Sequence, residues 1–210
     1  NNHLVSLPQG IFNGLHELFD LGLQNNNLVS LPQEVFNGLH ELYYLWLQNN
    51  SLDLLPAELL NDLDRLEVLT FANNSLVSLP TNLFENGSVR NLFLADNQLQ
   101  FLSFHLFDKL VNLVNLDLSN NRLTHIPRLG QMARLRTLKL IGNPLTGITH
   151  EHFDGIPETV TTVVDQSVLC VCYMNSSDTC FNINERSSYL TCNTLLSLTV
   201  LSIFTCTLGI

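Results

Sequence analysis

The chain has 210 residues, of which 45% are hydrophobic and 13% charged, and its formal net charge is −10. This apolar content is sufficient for a buried core and too high for a disordered chain. Residues 1–100 hold eleven acidic and two basic residues, a net charge of −9. The acid excess argues against nucleic acid as a partner and would attract a cationic one.

A sequence motif with the pattern L-x-x-L-x-x-L-x-L-x-x-N-x-L recurs along most of the chain. Its asparagines are spaced 24, 24, 24, 23, 24 and 22 residues apart, at Asn2, Asn26, Asn50, Asn74, Asn97, Asn121 and Asn143. This regularity predicts a leucine-rich-repeat solenoid, in which each repeat covers the apolar edge of its neighbour. We expect an α/β-type horseshoe of about seven repeats, over residues 1–168, that lacks its natural N-terminus.

Alternating apolar residues in each repeat predict a short strand, and successive strands should stack in parallel along the concave face. The side chains predicted to be buried are Leu21, Leu23, Leu45, Leu47, Leu69, Phe71, Leu92, Leu94, Leu116, Leu118, Leu138 and Leu140. An asparagine amide both donates and accepts, so the repeated asparagine should satisfy backbone groups as a ladder. The return along the convex side should stack Phe12, Phe36, Leu60, Phe84, Phe107 and Phe153.

Residues between the inward leucines should point out over the concave face. The central column is Gly22, Trp46, Thr70, Phe93, Asp117 and Lys139. The flanking columns are Asp20, Tyr44, Val68, Asn91, Asn115 and Thr137, and Gln24, Gln48, Ala72, Ala95, Ser119 and Ile141.

The predicted ligand-binding residues on this face are Asp20, Tyr44, Trp46, Phe93 and Asp117. Trp46 is the only tryptophan, and exposed aromatic side chains commonly anchor interfaces. The two aspartates could pair with basic ligand residues. The small neighbours Gly22, Thr70 and Ala72 should leave room for a ligand side chain. In the alternative interpretation, Tyr44 and Trp46 only stack on each other.

Asn-x-Ser triplets at Asn49, Asn73, Asn86 and Asn175 are candidate glycosylation sites and favour a secretory route weakly. All five cysteines follow residue 169. Cys170, Cys172, Cys180 and Cys192 are predicted to staple a cap at residues 169–192, while Cys206 should be a free thiol. Zinc binding by these cysteines is the alternative. Cys170 and Cys172 should not bond each other, because both would leave the same side of a strand.

No nucleophile–base pair, phosphate-binding loop or paired carboxylates stand out, so no enzyme and no cofactor are predicted. His150 and His152 superficially suggest a metal site, but an exposed loop is the expected setting, and no metal is predicted.

Residues 187–210 carry no charge, and the last sixteen residues, from Leu195, are mostly apolar. This stretch is slightly shorter than the ~20 residues that a spanning helix needs. The sequence predicts the start of a transmembrane helix at residues 193–210. A cleavable lipid-anchor signal and a buried helix of the cap are the alternatives.

The segment from "FDGIPETVTTVVDQSVLCVCYMNSSDTC" to the C-terminal tail resembles the hinge and first transmembrane helix of leucine-rich-repeat G-protein-coupled receptors. The similarity is greatest to the relaxin-receptor-like branch, with glycoprotein-hormone receptors as relatives. Cys172, Tyr173 and Cys180 match the order of cysteine, aromatic and cysteine in that family. By analogy with its spacing, the resemblance implies Cys172–Cys180 and Cys170–Cys192 disulfides.

The resemblance implies the ectodomain of a plasma-membrane hormone receptor, with residues 1–192 extracellular. Its partners would be a secreted peptide or protein ligand and a heterotrimeric G protein, bound through a seven-helix domain that this sequence lacks. The alternative is a membrane- or lipid-anchored adhesion or immune-recognition solenoid without a signalling domain.

Overall fold

The computed structural model describes residues 2–129, 132–146, 157 and 160–163, together with two strands near the C-terminus. Strands of three residues follow one another along the chain: β1 Asp20–Gly22, β2 Tyr44–Trp46, β3 Val68–Thr70, β4 Asn91–Phe93, β5 Asn115–Asp117, β6 Thr137–Lys139, β7 Thr161–Val163, β8 Thr179–Phe181 and β9 Tyr189–Thr191.

Strands β1 to β7 form one parallel sheet whose order is the order of the sequence. Equivalent positions of successive repeats face each other, as Leu45 does with Leu69 and Leu69 with Leu92. Parallel neighbours need a connection that returns to the same end of the sheet. One such return per repeat produces the predicted solenoid. We number the repeats by their strands, so that β1 belongs to the first repeat and β6 to the sixth. Strands β8 and β9 pair antiparallel in a separate sheet, with Cys180 opposite Leu190.

The inward leucines form one continuous core, as the alternation predicts. Eleven of the twelve named side chains are buried, and Leu21 is the exception because it is only partly buried. Leu21 lies in β1, the edge strand of the described sheet, so only one neighbouring strand covers it. The second leucine of each pair lies just after its three-residue strand but remains tied to the next repeat, as when Leu47 N donates to Thr70 O at 3.0 Å.

The repeated asparagine forms the predicted ladder. Asn74 Nδ2 donates to Phe71 O at 2.9 Å within its repeat and to Leu47 O at 3.0 Å in the preceding repeat. Its Oδ1 accepts from Leu52 N at 3.0 Å. Asn50, Asn97 and Asn121 make the same three kinds of bond. Each amide therefore satisfies buried backbone groups of two repeats.

A second ladder lies on the surface, one position before the first. Asn25, Asn49, Asn73, Asp96 and Asn120 all have φ between 53° and 58°, the left-handed region that asparagine and aspartate tolerate best after glycine. Their side chains bond between repeats, as when Asn73 Nδ2 donates to Asn49 Oδ1 at 2.7 Å and Asn120 Nδ2 to Asp96 Oδ1 at 2.8 Å. Backbone conformation and side-chain pairing together explain the doubled asparagine of the repeat.

Gly142 holds the same position in the sixth repeat, with φ of 74°. A Cβ atom there would lie 2.2 Å from Asn120 Oδ1 and 3.1 Å from Asn120 Cα. The glycine thus removes a side chain where the preceding repeat already fills the space.

The convex side corrects the α/β-type prediction, because the described residues contain strands and turns but no helix. In the second repeat, Val35 N donates to Pro32 O, Asn37 N to Glu34 O and Leu39 N to Phe36 O, each three residues back. Bonds with this spacing form tight successive turns rather than an α-helix. Each convex segment is also too short to sustain a helix without further support.

The predicted phenylalanine spine is present where the structure describes it. Phe12 and Phe36 stack with ring centroids 6.1 Å apart, and Phe84 and Phe107 lie 6.0 Å apart. Leu60 is buried between these pairs in repeat order. Phe153 is outside the described residues.

The fourth repeat is one residue shorter on its convex side. Gly87, with φ of 63°, passes so close to the fifth repeat that a Cβ atom would lie 2.4 Å from Lys109 O. Asn86 Nδ2 donates to Leu60 O at 3.2 Å and also to Asn61 O. The shortened turn is therefore held by a side-chain amide.

Candidate binding surface on the strand-bearing face

The residue just before each strand belongs to a column that runs along one edge of the sheet. From the second repeat onward, each backbone amide of this column donates to the carbonyl of the equivalent residue in the preceding repeat, at 2.7–3.0 Å. The column consists of Phe19, Tyr43, Glu67, Arg90, Val114 and Arg136. This edge column adjoins the strand columns that carry the predicted binding residues. Together they form the strand-bearing face.

Four aromatic rings form a cluster on this face in the first two repeats. Phe19 stacks on Tyr43 with centroids 5.1 Å apart and meets Tyr44 edge-on at 5.5 Å. Tyr43 and Tyr44 are 4.7 Å apart, and Tyr44 stacks on Trp46 at 5.9 Å with an interplanar angle of 7°. Phe19 is 53% exposed and Trp46 is partly exposed. We call these four residues the aromatic cluster.

Carboxylates fix both ends of the aromatic cluster. Trp46 Nε1 donates to Asp20 Oδ1 at 2.8 Å. Tyr43 Oη donates to Glu67 Oε2, and Arg90 Nη1 lies 3.5 Å from the same oxygen. The Glu67 hydrogen bond raises the pKa of Tyr43 above its ordinary value, with smaller contributions from desolvation and from the negative charge of Glu67. The rings are therefore held in one arrangement before any ligand arrives.

The structure brings together three of the five predicted binding residues, namely Asp20, Tyr44 and Trp46. Tyr44 and Trp46 stack on each other, as the alternative interpretation predicts, and both rings remain partly exposed. Phe93 is also partly exposed, but it lies two strands away from Trp46.

Thr70 corrects one prediction, because it does not leave open space beside Trp46. Its exposure is only 5%, and it lies in register between Trp46 and Phe93. A small side chain between two large ones in the same column is covered by them. Gly22, by contrast, is exposed.

Asp117 lies apart from the aromatic cluster and already has protein partners. Its Oδ2 is 3.1 Å from Lys139 Nζ, and its Oδ1 accepts from Ser119 N at 3.1 Å. Lys139 belongs to the next strand in register with Asp117. A basic ligand residue would therefore have to compete with Lys139.

Phe19, Tyr43 and Glu67 extend the site beyond the residues that alternation identifies. They precede their strands, so the rule of alternate inward and outward side chains does not reach them. A signal was present in the sequence nonetheless: Phe19 and Tyr43 hold equivalent repeat positions beside the strand aromatics.

The candidate glycosylation residues Asn49, Asn73 and Asn86 are exposed, and each side chain has a hydrogen-bond partner. Asn49 Nδ2 donates to Asn25 Oδ1 at 2.7 Å. Glycosylation at these positions remains a prediction. Asn175 lies outside the described residues.

Most of the predicted cap belongs to the part of the chain that the structure does not describe. Cys170, Cys172, Cys192 and Cys206 lie outside the described residues, as do His150, His152 and the apolar tail. Cys180 is placed only by the backbone of β8. Within the described part of the chain, no group of histidine, cysteine or acidic residues has the arrangement of a metal site, and no helix has the length and hydropathy of a membrane span.

Sequence comparison identifies two partial relatives. Residues of this chain are 41% identical to chaoptin of Drosophila melanogaster over 71 residues and 40% identical to Tsukushi of Gallus gallus over 70 residues. Each match covers 33% of this chain, but only 5% of chaoptin and 19% of Tsukushi.

Solved structures with similar folds include the LRIM1/APL1C complex, with a TM-score of 0.67 and 25% identity over 71% of this chain and 28% of that one. The APL1 leucine-rich repeat domain gives 0.67 and 26% over 71% of this chain and 39% of that domain. The Toll–Spatzle complex of Drosophila gives 0.72 and 22%, over 79% of this chain and 24% of that one, which shows similarity of fold alone.

The sequence profile described as Leucine rich repeat matches residues 1–52 and 87–145, more than half of the chain. These ranges contain the ladder residues Asn26, Asn50, Asn97, Asn121 and Asn143 and the parallel strands of five repeats. The chain belongs to the leucine-rich repeat family.

Proposed function

We propose that this chain is an extracellular recognition module that binds a polypeptide ligand on its strand-bearing face and catalyses no reaction. The observation that carries the proposal is the aromatic cluster. Four rings that would contribute to a core elsewhere instead lie on a surface, in contact with one another and partly exposed. Clusters of this kind anchor protein interfaces, in which tyrosine and tryptophan supply much of the binding energy.

The cluster is prepared for binding because its rings have partners in the unbound chain. Asp20 holds the Trp46 indole, and Glu67 holds the Tyr43 hydroxyl. Little side-chain freedom is then lost when a ligand arrives, which lowers the entropic cost of association. A repeat surface also offers an extended contact area, because each repeat adds a strand to the same face.

The test is a screen of the labelled chain against a displayed library of secreted polypeptides, with each hit measured again on two variants. Trp46→Ala should weaken binding by about 2 kcal/mol, roughly 30-fold in Kd. Phe101→Ala is the matched control, because Phe101 is also an exposed aromatic residue, 69% exposed, but lies outside the strands of this face. Equal affinity of the wild type and Trp46→Ala for every hit would refute the proposal.

A more specific proposal is that the chain is the ectodomain of a leucine-rich-repeat G-protein-coupled receptor at the plasma membrane. Its ligand would be a secreted hormone, and its signalling partner a heterotrimeric G protein. Its support is the resemblance of the segment around Cys172, Tyr173 and Cys180, followed by the apolar tail, to the hinge of those receptors. Sequencing the transcript past Ile210 tests it. Six further spanning segments would support it, whereas a stop codon would favour the anchored adhesion or immune-recognition protein.

A further inference from the structure

The surface ladder of asparagine side chains is broken between the third and fourth repeats. Asn49 Nδ2 donates to Asn25 Oδ1 at 2.7 Å, and Asn73 Nδ2 donates to Asn49 Oδ1 at the same distance. The next position is Asp96, whose carboxylate carries no hydrogen that Asn73 Oδ1 could accept. The other side of Asp96 accepts from Asn120. The break therefore leaves an amide oxygen beside a carboxylate, with no donor between them in the described chain.

A shallow recess adjoins this break on the strand-bearing face. The residues immediately before the ladder positions form the flanking column Gln24, Gln48, Ala72, Ala95, Ser119 and Ile141. Its two alanines are neighbours, because Asn73 N donates to Ala95 O at 2.9 Å. Both alanines are partly exposed, and their methyl groups are shorter than the side chains on either side. We call the space above Ala72 and Ala95 the alanine recess.

Phe93 lies beside the alanine recess on the same face. It precedes Ala95 by two residues, and Leu94 between them is buried, so both outer side chains point away from the core. The neighbours of Phe93 in register are Thr70, which is buried, and Asp117. Because the ring of Phe93 is partly exposed, the recess has an aromatic surface along one side.

Unpartnered oxygen atoms border the alanine pair at both ends. Gln48 Oε1 and Ser119 Oγ are two of the three buried side-chain polar atoms that form no hydrogen bond with a described group. Ser119 is only 7% exposed, and its carbonyl accepts from Asp96 N at 3.0 Å, so it lies directly against the break. A buried oxygen without a donor carries a cost in free energy that a ligand donor would remove. Acceptors thus surround the recess, and a donor is what it lacks.

Acceptors, a flat aromatic surface and space for one side chain together suit arginine. We infer that the polypeptide ligand of the proposed function places an arginine side chain in the alanine recess. Its guanidinium donates to Asn73 Oδ1 and to the Asp96 carboxylate, and its plane stacks on Phe93. A planar group with several N–H donors can bond two neighbouring acceptors at once, while its face remains free to stack on an aromatic ring.

The arginine site rests on the proposed function and extends it, because the recess shares the strand-bearing face with the aromatic cluster. The recess belongs to the third and fourth repeats and Trp46 to the second, so one to two strand spacings separate them, roughly 5–10 Å. An extended peptide covers that distance with about two or three residues. The ligand therefore carries its arginine about two or three residues from the group that covers Trp46.

Other ligand groups fit the alanine recess less well. A lysine ammonium supplies charge and donors but has no flat face to lie against Phe93. A calcium ion takes about six to eight oxygen ligands, and the described residues contain no cluster of acidic, histidine and cysteine side chains that could hold one. An acidic ligand residue would be repelled by Asp96.

Two substitutions move the break along the ladder without changing the net charge of −10. In Asp96→Asn, the carboxamide can donate to Asn73 Oδ1, as asparagines do at other positions, which closes the break. In Asn49→Asp, the bond to Asn25 Oδ1 is lost, which opens an equivalent break beside long side chains instead of alanines. The double variant Asp96→Asn/Asn49→Asp should unfold close to the wild-type midpoint, because one ladder bond is gained and one is lost.

The experiment selects a displayed library of random peptides, each of about twelve residues or roughly 40 Å when extended, on the wild type and on the double variant in parallel. Salt at about 0.15 M limits long-range attraction to the acidic chain. Peptides selected on the wild type should contain arginine at least about threefold more often than the unselected library does, and lysine should gain less. The double variant should show no such preference. General attraction to negative charge acts equally on both proteins and cannot produce this difference.

An enriched peptide is then synthesised with arginine, citrulline or lysine at the selected position. Citrulline has nearly the shape of arginine but no charge, so it should weaken binding to the wild type by about tenfold or more. On the double variant the same change should weaken binding by about twofold or less. Equal affinity of the arginine and citrulline peptides for the wild type, or the same arginine preference on the double variant, would overturn the arginine site.

Trp46→Ala separates the arginine site from the proposed function. If the selected peptides lose affinity in Trp46→Ala but contain no excess of arginine, the aromatic cluster binds polypeptide and the arginine site is wrong. If arginine is enriched and the peptides bind Trp46→Ala as well as the wild type, the arginine site stands and the cluster fails. If no peptide is enriched on the wild type, both are wrong.

Discussion

Asn74 Nδ2 donates to the carbonyl of Leu47, 27 residues earlier in the chain, at 3.0 Å. This bond joins the third repeat to the second, and its equivalents recur at Asn50, Asn97, Asn121 and Asn143. A short strand has few backbone bonds of its own. The buried amides add side-chain bonds to the backbone bonds that already join neighbouring repeats.

Replacement of Asn74 by alanine should lower the free energy of unfolding by about 2–4 kcal/mol, because two buried carbonyls and one buried amide lose their partner. Asn73→Gly is the matched control in the adjacent, exposed ladder, since glycine keeps the left-handed backbone. The control should cost about 1 kcal/mol or less. Urea unfolding of both variants measures the difference, and equal losses would contradict the role of the buried ladder.

The convex spine gives a second pair of variants within a single repeat. Phe107 is 1% exposed and packs near Phe84, whereas Phe104 is 54% exposed. Phe107→Ala should cost about 3–5 kcal/mol because it leaves a cavity between two repeats. Phe104→Ala should cost about 0.5 kcal/mol or less. Thermal unfolding distinguishes them, and a Phe107→Ala variant as stable as the wild type would show that the spine does not support the solenoid.

Gly142 tests the backbone geometry at the sixth repeat. Alanine there would take up a left-handed conformation and place Cβ against Asn120, so Gly142→Ala should cost about 1–3 kcal/mol. Gly22→Ala is the control, since Gly22 has no positive φ and a Cβ atom there would meet only the end of the flexible Gln24 side chain. Chemical unfolding of the two variants should give clearly different midpoints. A Gly142→Ala variant no less stable than Gly22→Ala would contradict the predicted strain.

The raised pKa of Tyr43 predicts that the stability of the folded chain depends on pH in the alkaline range. The pKa of Tyr43 is raised in the folded chain above its ordinary value of about 10, so the folded state holds this proton more tightly than the unfolded state does. The associated stability is present below pH 10 and is lost as the pH rises through the higher folded pKa. Tyr43→Phe should therefore lose less stability than the wild type over this range. Tyrosinate absorbance measures the titration directly, and it should shift toward lower pH in Glu67→Gln. An unchanged titration in that variant would rule out Glu67 as the cause.

The repeating parts of the fold could be predicted because one physical requirement acts at each repeat. Each repeated side chain must meet equivalent residues of the neighbouring repeats, so the spacing of these residues reveals their role. Examples are the leucines Leu45, Leu69 and Leu92 and the asparagine Asn74. The convex turns were harder to predict, because their few residues do not show whether bonds will join residues three or four apart. Tertiary stacking, rather than local propensity, decides that outcome.

The binding surface could be predicted only in part, for a related reason. Trp46 and Tyr44 stand out because alternation places them on an open face. Phe19 and Tyr43 belong to the bend before the strand, where alternation gives no direction, and only the packed rings reveal that they join the cluster. The partner of Asp117 was also hidden, because an ion pair between repeats depends on the register of two strands.

The most direct test of the central claim is acrylamide quenching of Trp46 fluorescence, with and without a polypeptide ligand from the library screen. Trp46 is the only tryptophan, so the signal reports the aromatic cluster alone. If the ligand covers the cluster, the quenching constant should fall by about half or more on saturation, because a side chain in the centre of an interface is shielded from solvent. An unchanged quenching constant at saturating ligand would show that the ligand binds elsewhere on the solenoid.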